Sequence, residues 1–251
     1  ASNLKAEKSL LMGWNWKAPA IIRELDHYVP KGSELTVMAS GEGIREQLEE
    51  LLTEMENQAY KFVEGDITDH KKLDTIELGS YDHIILLCYS DDLEVQKADA
   101  RTMITLLHLR DIAEKKNQDF SIVSEMLDIR NRNLAEVSQA DDFIVSDKLI
   151  SLMMAQVSEN KDLNSVFQDI FDPEGSEIYL KPVDAYIETG KPVSFYTILE
   201  AARLKNETAI GYRLSADARH SAESYGIHIN PDKSAKVIFS DQDKVIVLAN
   251  D

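Results

Sequence analysis

The sequence predicts an α/β protein: a Rossmann-like domain with a parallel six-stranded sheet, then a crossover helix pair and a small α+β domain. Three observations carry this reading. From residue 9 to about 147, short apolar runs alternate with longer helical periodicities, the pattern of βαβ units. Six such runs occur in that stretch, and a glycine closes the first, immediately before an amphipathic segment. After residue 176 the runs shorten and crowd together, as they do in an α+β unit.

The strands are "SLLMG", "ELTVMAS", "AYKFVEG", "DHIILLCYS", "FSIVSEML" and "DDFIVS". Between the first two, Ile21, Ile22, Leu25, Tyr28 and Val29 share a helix face, as Ile44, Leu48, Leu51, Leu52 and Met55 do on the next helix. A long third helix runs from about Glu94 to Lys116. After the sixth strand, Leu149, Ile150, Leu152, Met153, Met154 and Val157 spread over an arc of about 200° at ~100° per residue, roughly twice what packing on one sheet requires. This describes a helix covered on two sides, either by another subunit or by a second domain of the same chain. "DPEGSE", residues 172–177, is turn chemistry and marks a boundary. The organisation read here is 1–147, a crossover helix pair at 148–175, and 176–251. The last part contains "EIYLKPVDAYI", a helix "SFYTILEAARLK", a strand "TAIGYRL", a helix "ADARHSAESYG", and closing strands "AKVIFS" and "KVIVLAND" joined by the turn "SDQDK".

Composition narrows the function. The 251 residues hold 27 basic and 45 acidic side chains, net −18, a balance that repels phosphate backbones and argues against a nucleic-acid partner. Hydrophobic residues make up 43%, enough for ordinary cores, and no uninterrupted apolar run approaches the ~20 residues of a membrane-spanning helix. The one cysteine, Cys88, lies in a strand-like run and allows no internal disulfide. The six histidines lack metal spacing, and no serine sits in a G-x-S-x-G elbow, so no catalytic constellation is visible. The chain opens "ASNLKAEK", without methionine, and is read as part of a longer protein.

A dinucleotide turn needs a glycine for the bend, a second where backbone meets pyrophosphate, and a third where helix touches strand. Here these positions read Gly13, Asn15 and Ala18. Asn15 puts a side chain where the phosphate should press, flanked by Trp14 and Trp16, and Pro19 removes an amide from the first helical turn. The second strand ends in Ala39 and Ser40 rather than in the acid that grips a ribose. NAD is therefore not the expected ligand; Gly13, Asn15 and Asp66 mark what remains of a degenerate nucleotide site. Acids do line the carboxyl ends of the strands: Asp66, Asp91, Asp92, Glu94, Glu125 and Asp128. Oxygen-only sets suit Ca²⁺, and Asp91, Asp92 and Glu125 are the candidate ligands. The alternative is that Asp91 and Glu94 cap the following helix while Glu125 pairs with Arg130.

The first-strand "GWN", "GDIT" at Gly65–Thr68, the wide-arc helix and the α+β tail together resemble the RCK, or TrkA-type, regulators of potassium conductance. "GDIT" is similar to that family's Gly-Asp-x-Thr motif, and "INPDKSAKVIFSDQDKVIVLA" to the closing hairpin of TrkA-C domains. Within this class, "VSEMLDIRNRNLAEVSQADDFIVSDKLISLMMAQVSENKDLNSVFQDIF" resembles the CASTOR/POLLUX ion-channel branch, chiefly through Val123–Leu127, Asn133, Leu134, Asp142–Ser146, Leu149–Ser151 and Asn164–Phe167. The resemblance implies a homo-oligomer, dimers building a ring on the cytoplasmic face of a membrane. On this resemblance such a ring couples ligand binding to a potassium-conducting cation pore encoded before residue 1 of the same chain. It also implies that the wide-arc helix packs between subunits. Calcium-gated members of the class carry an acid at the end of strand four and Glu-x-Glu after strand five; here Leu87 and Cys88 stand at the first place, and Glu125, Met126, Leu127 at the second. Two other functions fit the same pattern: an NAD(P)-dependent oxidoreductase with a degenerate glycine turn, and a free-standing regulatory subunit of a potassium uptake system.

Overall fold

The computed structural model describes residues 5–51, 53–118, 120, 122–131, 142–172, 175–218 and 220–250. Its first unit, Ala1–Glu159, holds a six-stranded sheet. The strands are β1 (Lys8–Met12), β2 (Ser33–Ala39), β3 (Gln58–Glu64), β4 (His83–Leu86), β5 (Ile122–Met126) and β6 (Asp142–Val145). Every pairing is parallel, in the order β3-β2-β1-β4-β5-β6. That order reverses direction between β1 and β4, so the crevice at their carboxyl ends is the place where such sheets take ligands.

The central strands are apolar on both faces because helices cover both, and Leu10, Leu11 and Met12 of β1 are completely buried. On α1 (Ala18–Tyr28), Ala18 and Ile22 turn inward while Tyr28, expected on the same face, is 47% exposed. Asp26, also on α1, is buried, and its carboxylate accepts the amides of Glu56, Asn57 and Gln58 at 2.8, 3.1 and 3.0 Å. This ties the helix to the start of β3 and satisfies three donors that would otherwise be orphaned. The remaining helices of this unit are α2 (Ile44–Leu51), the single turn α3 (His70–Leu73), α4 (Val95–Lys116) and α5 (Ser146–Glu159). A left-handed Asn117, φ 49°, ends α4.

The division of the chain falls inside the expected 148–175 crossover pair: α5 belongs to the first unit, and α6 (Leu163–Ile170) to the second, Asn160–Asp251. α5 begins at Ser146, the residue after β6 ends, so the wide-arc helix stays with the sheet that launches it.

The second unit contains β7 (Glu177–Pro182), β8 (Pro192–Ser194), α7 (Phe195–Leu204), β9 (Thr208–Arg213), β10 (Ile227–Ile229), β11 (Lys236–Ile238) and β12 (Lys244–Ala249). An antiparallel sheet runs β10-β9-β12-β7, and a separate ribbon pairs β11 with β8. Two expectations fail here. The last two strands are not a hairpin: β12 lies between β7 and β9, in a different sheet from β11. The segment read as a helix over 216–226 is two short 3₁₀ stretches, because Ser224, Tyr225 and Gly226 have φ of 51°, 56° and 76°. Three left-handed residues in a row cannot continue a right-handed helix. At Gly226 an added Cβ would lie 2.2 Å from the Leu214 carbonyl oxygen.

Buried Asp243 organises this end. Its carboxylate accepts the amide and hydroxyl of Ser215 at 2.8 and 2.9 Å and the amide of Ser240 at 2.8 Å. Burial pushes its pKa up, but the hydrogen bonds from Ser215 and Ser240 outweigh that and hold it below its usual 3.8. A carboxylate with a depressed folded pKa contributes its stability in full above the unfolded value and loses it as pH falls through the folded one. Asp243→Asn should therefore cost roughly 1–3 kcal/mol at neutral pH. That penalty should shrink below about pH 4 in urea titrations of the two proteins across pH.

Candidate functional site: the carboxyl ends of the sheet

The turn from β1 to α1 is built as the sequence demands at its first position. Gly13 has φ +84°, and a Cβ there would sit 2.2 Å from the Leu87 carbonyl oxygen, so no side chain fits. Ala18, at the third glycine position, is fully buried between helix and sheet. The two tryptophans part company: Trp14 is packed into the core and Trp16 is 71% exposed.

Asn15 fills the place of the middle glycine and does more than obstruct it. Its side chain is 1% exposed, and its Nδ2 donates to the Cys88 carbonyl at 2.7 Å and to Glu125 Oε2 at 2.8 Å. Its Oδ1 accepts the Lys17 amide at 3.0 Å. Glu125, at the end of β5 and 5% exposed, also accepts the Cys88 amide at 3.2 Å and forms an ion pair with Lys17 Nζ. One buried carboxylate thus gathers an amide nitrogen from the β1 turn, a backbone amide from the exit of β4 and an ammonium from the start of α1. The expected pairing of Glu125 with Arg130 does not occur; Arg130 is bound to Asp128, whose pKa it pulls down to about 2 through hydrogen bonds and charge. The crevice where a pyrophosphate would lie is occupied by the protein's own side chains.

Cys88 is sealed beneath this network, its Sγ 3.1 Å from Thr102 Oγ1. Burial pushes its thiol up to about 12, so it is no nucleophile. Below it, buried Asp99 of α4 accepts the amides of Leu127 and Asp128 at 2.9 and 3.0 Å, fixing the turn that follows Glu125.

The neighbouring corner, at the ends of β2 and β3, is self-contained too. Asp66 accepts the amide and hydroxyl of Thr68, both at 2.8 Å, and Arg101 Nη2 at 2.9 Å. Partial burial raises its pKa, but Thr68 and Arg101 together bring it below the usual value. Arg101 lies over the Tyr89 ring, 4.3 Å from its centroid, and the Tyr89 hydroxyl accepts the Ser40 amide at 3.0 Å. Where a dinucleotide fold would present an acid to a ribose, this chain presents Ser40 under an arginine already held by Asp66.

The calcium set is not brought together. Asp91 accepts the Trp16 amide at 2.7 Å, Asp92 is exposed, and Glu125 is buried on Lys17 and Asn15. Among the described residues no group of three acids, histidines or cysteines converges as metal ligands. The capping alternative holds only in part: Glu94 occupies the N-cap position of α4, but its side chain makes no capping bond. The interface candidates lie on one helix, α5. Leu149, Ile150, Leu152 and Met154 are 48, 52, 55 and 69% exposed, and Met153 and Val157 are half-buried.

No family model matches the chain. It is 30% identical to the probable ion channel POLLUX of Arabidopsis thaliana, over 97% of its own length and 33% of that protein. It is also 30% identical to the ion channel CASTOR of Lotus japonicus, over 83% of the chain and 28% of that protein. The chain is homologous to the CASTOR and POLLUX ion channels. It spans about a third of the length of these curated relatives. Among solved structures, the human SLO3 gating ring aligns with 97% of this CASTOR/POLLUX homologue and 44% of its own chain, at a TM-score of 0.62 and 12% identity, which establishes a shared fold. No described helix of the homologue is long and apolar enough to cross a membrane.

Lys17, Asp99 and Arg101 escaped the sequence reading. The one signal for Lys17 was Asn15 itself, a polar side chain placed where only a glycine serves a ligand. Asn15→Gly restores the glycine spacing but removes both Nδ2 hydrogen bonds. The variant should lose roughly 1–3 kcal/mol in urea unfolding and still fail to enhance NADH fluorescence, since Glu125 continues to fill the crevice. NADH binding by this variant would show that Asn15 alone closes the turn.

Proposed function

We propose that the chain is the cytosolic ligand-sensing gating domain of a cation channel, assembling as dimers that build a ring and coupling ligand binding to a pore elsewhere in the same full-length protein. The observation that carries this reading is the homology to CASTOR and POLLUX ion channels across nearly the whole chain. The gating-ring fold supports it. So does α5, whose Leu149, Ile150, Leu152 and Met154 leave an apolar stripe in water. Exposed apolar stripes of this kind on folded domains mark association surfaces, and a second copy is the partner proposed for it. Potassium is the proposed ion and the cytoplasmic face of the membrane the proposed location.

Ring assembly also supplies a mechanism. A ligand changes the pore only through its different affinity for two arrangements of the ring, so it must bind where those arrangements differ. The closed β1 crevice argues against a nicotinamide dinucleotide as that ligand and leaves surfaces between copies as the place to look.

Light scattering on the eluting protein tests the assembly. The wild-type chain should run as a dimer or larger species. Leu152→Glu with Met154→Glu, two exposed changes costing the isolated fold no more than about 0.5 kcal/mol each, should run as a monomer of unchanged thermal midpoint. A wild-type chain that remains monomeric at high concentration would refute the proposed role of α5.

A further inference from the structure

The converging donors around Glu125 describe a binding site as well as a structural contact. Asn15 Nδ2, the Cys88 amide and Lys17 Nζ all point at one buried carboxylate, which sits over the reversal point between β1 and β4. An ammonium, a side-chain amide and a backbone N–H aimed at one spot are the donor set of an oxyanion site. The carboxylate filling it comes from β5, two strands away across the sheet from β1, with 110 residues separating Glu125 from Asn15. Without the carboxylate, the Cys88 amide and Lys17 would each lose the acceptor they have in Glu125.

We propose that this crevice is an oxyanion-binding site whose resident ligand is the side chain of Glu125, so that the protein carries a tethered competitor in place of a diffusible phosphate. Lys17 is the charge that holds the anion, and Asn15 is the gauge that admits a planar carboxylate while excluding a dinucleotide backbone. External oxyanions are shut out as long as Glu125 stays seated. An effective concentration set by the fold keeps it there even where the affinity for a free carboxylate is weak. This inference is independent of the channel reading: it concerns the chemistry of one crevice whatever the ring does.

The test is a thermal titration of the 251-residue chain with inorganic phosphate, compared with sodium chloride at equal ionic strength. The wild-type midpoint should respond to the two salts alike. Glu125→Ala should start lower and rise saturably with phosphate, beyond the chloride response, and Lys17→Met added to that variant should abolish the difference. If Glu125→Ala does not fold, Glu125→Ser serves in its place, because it too vacates the crevice and gives up the charge that pairs Lys17. A folded Glu125 variant whose midpoint ignores phosphate would overturn the proposal. So would a wild-type chain that binds phosphate as strongly as the variant, since Glu125 would then not be a competitor.

Discussion

The architecture of the first unit turns on one part-buried ion pair. Lys17 and Glu125 meet at the carboxyl edge of the sheet, with Asn15 and the Cys88 amide completing the shell around the carboxylate. Taking the carboxylate from water is costly, and the attraction repays the cost only when its remaining lone pairs are hydrogen-bonded, as those of Glu125 are by Asn15 and the Cys88 amide. Because the partners come from the start of α1 and the end of β5, the pair clamps the two halves of the sheet across the position where the strand order reverses. A dinucleotide in other proteins of this architecture bridges those same halves. Here the bridge is made by the protein's own side chains, through a non-covalent ion pair and its hydrogen bonds.

This substitution explains why so much of the old apparatus survives beside so little of its use. Gly13 is still needed, because the bend brings its Cα against the Leu87 carbonyl whether or not a phosphate lies above it. Ala18 is still small, because α1 still lies on the sheet. The middle glycine has no such structural duty; its only task is to stay out of a ligand's way, and it is the one replaced by a large polar residue. At the ends of β2 and β3 the same logic holds. Asp66 keeps its turn with Thr68, which any chain needs at that bend, while the acid that would serve a ribose has given way to Ser40 and the arginine above it.

Much of the fold was legible because its physics is local. All six strands of the parallel sheet stand where the apolar runs stand, since a strand covered on both faces has no polar alternation to disguise it. The wide arc of α5 was legible for the same reason, as periodicity alone fixes which faces of a helix are apolar. What failed depended on contacts distant in sequence. The 216–226 segment has helical composition, yet the close approach of Gly226 to Leu214 and the left-handed Ser224 and Tyr225 rule a helix out. β11 and β12 are adjacent in sequence and polar at their junction, which reads as a hairpin, but β12 finds better partners in β7 and β9. Glu125 had a cation five residues away in Arg130 and chose one 108 residues away in Lys17, because Asp128 already holds the nearer arginine.

A sheet whose ligand edge is filled by its own side chains argues against closure around a nucleotide, and on the proposed reading what moves lies outside this crevice. α5, which follows β6 without a loop, carries an exposed apolar stripe. A rigid sheet delivers any displacement of α5 intact to the elements fixed upon it, whereas a sheet that flexed about an empty crevice would absorb it. In the proposed ring the internal carboxylate stiffens the lever, and the exposed helix is the surface proposed for a partner to push on.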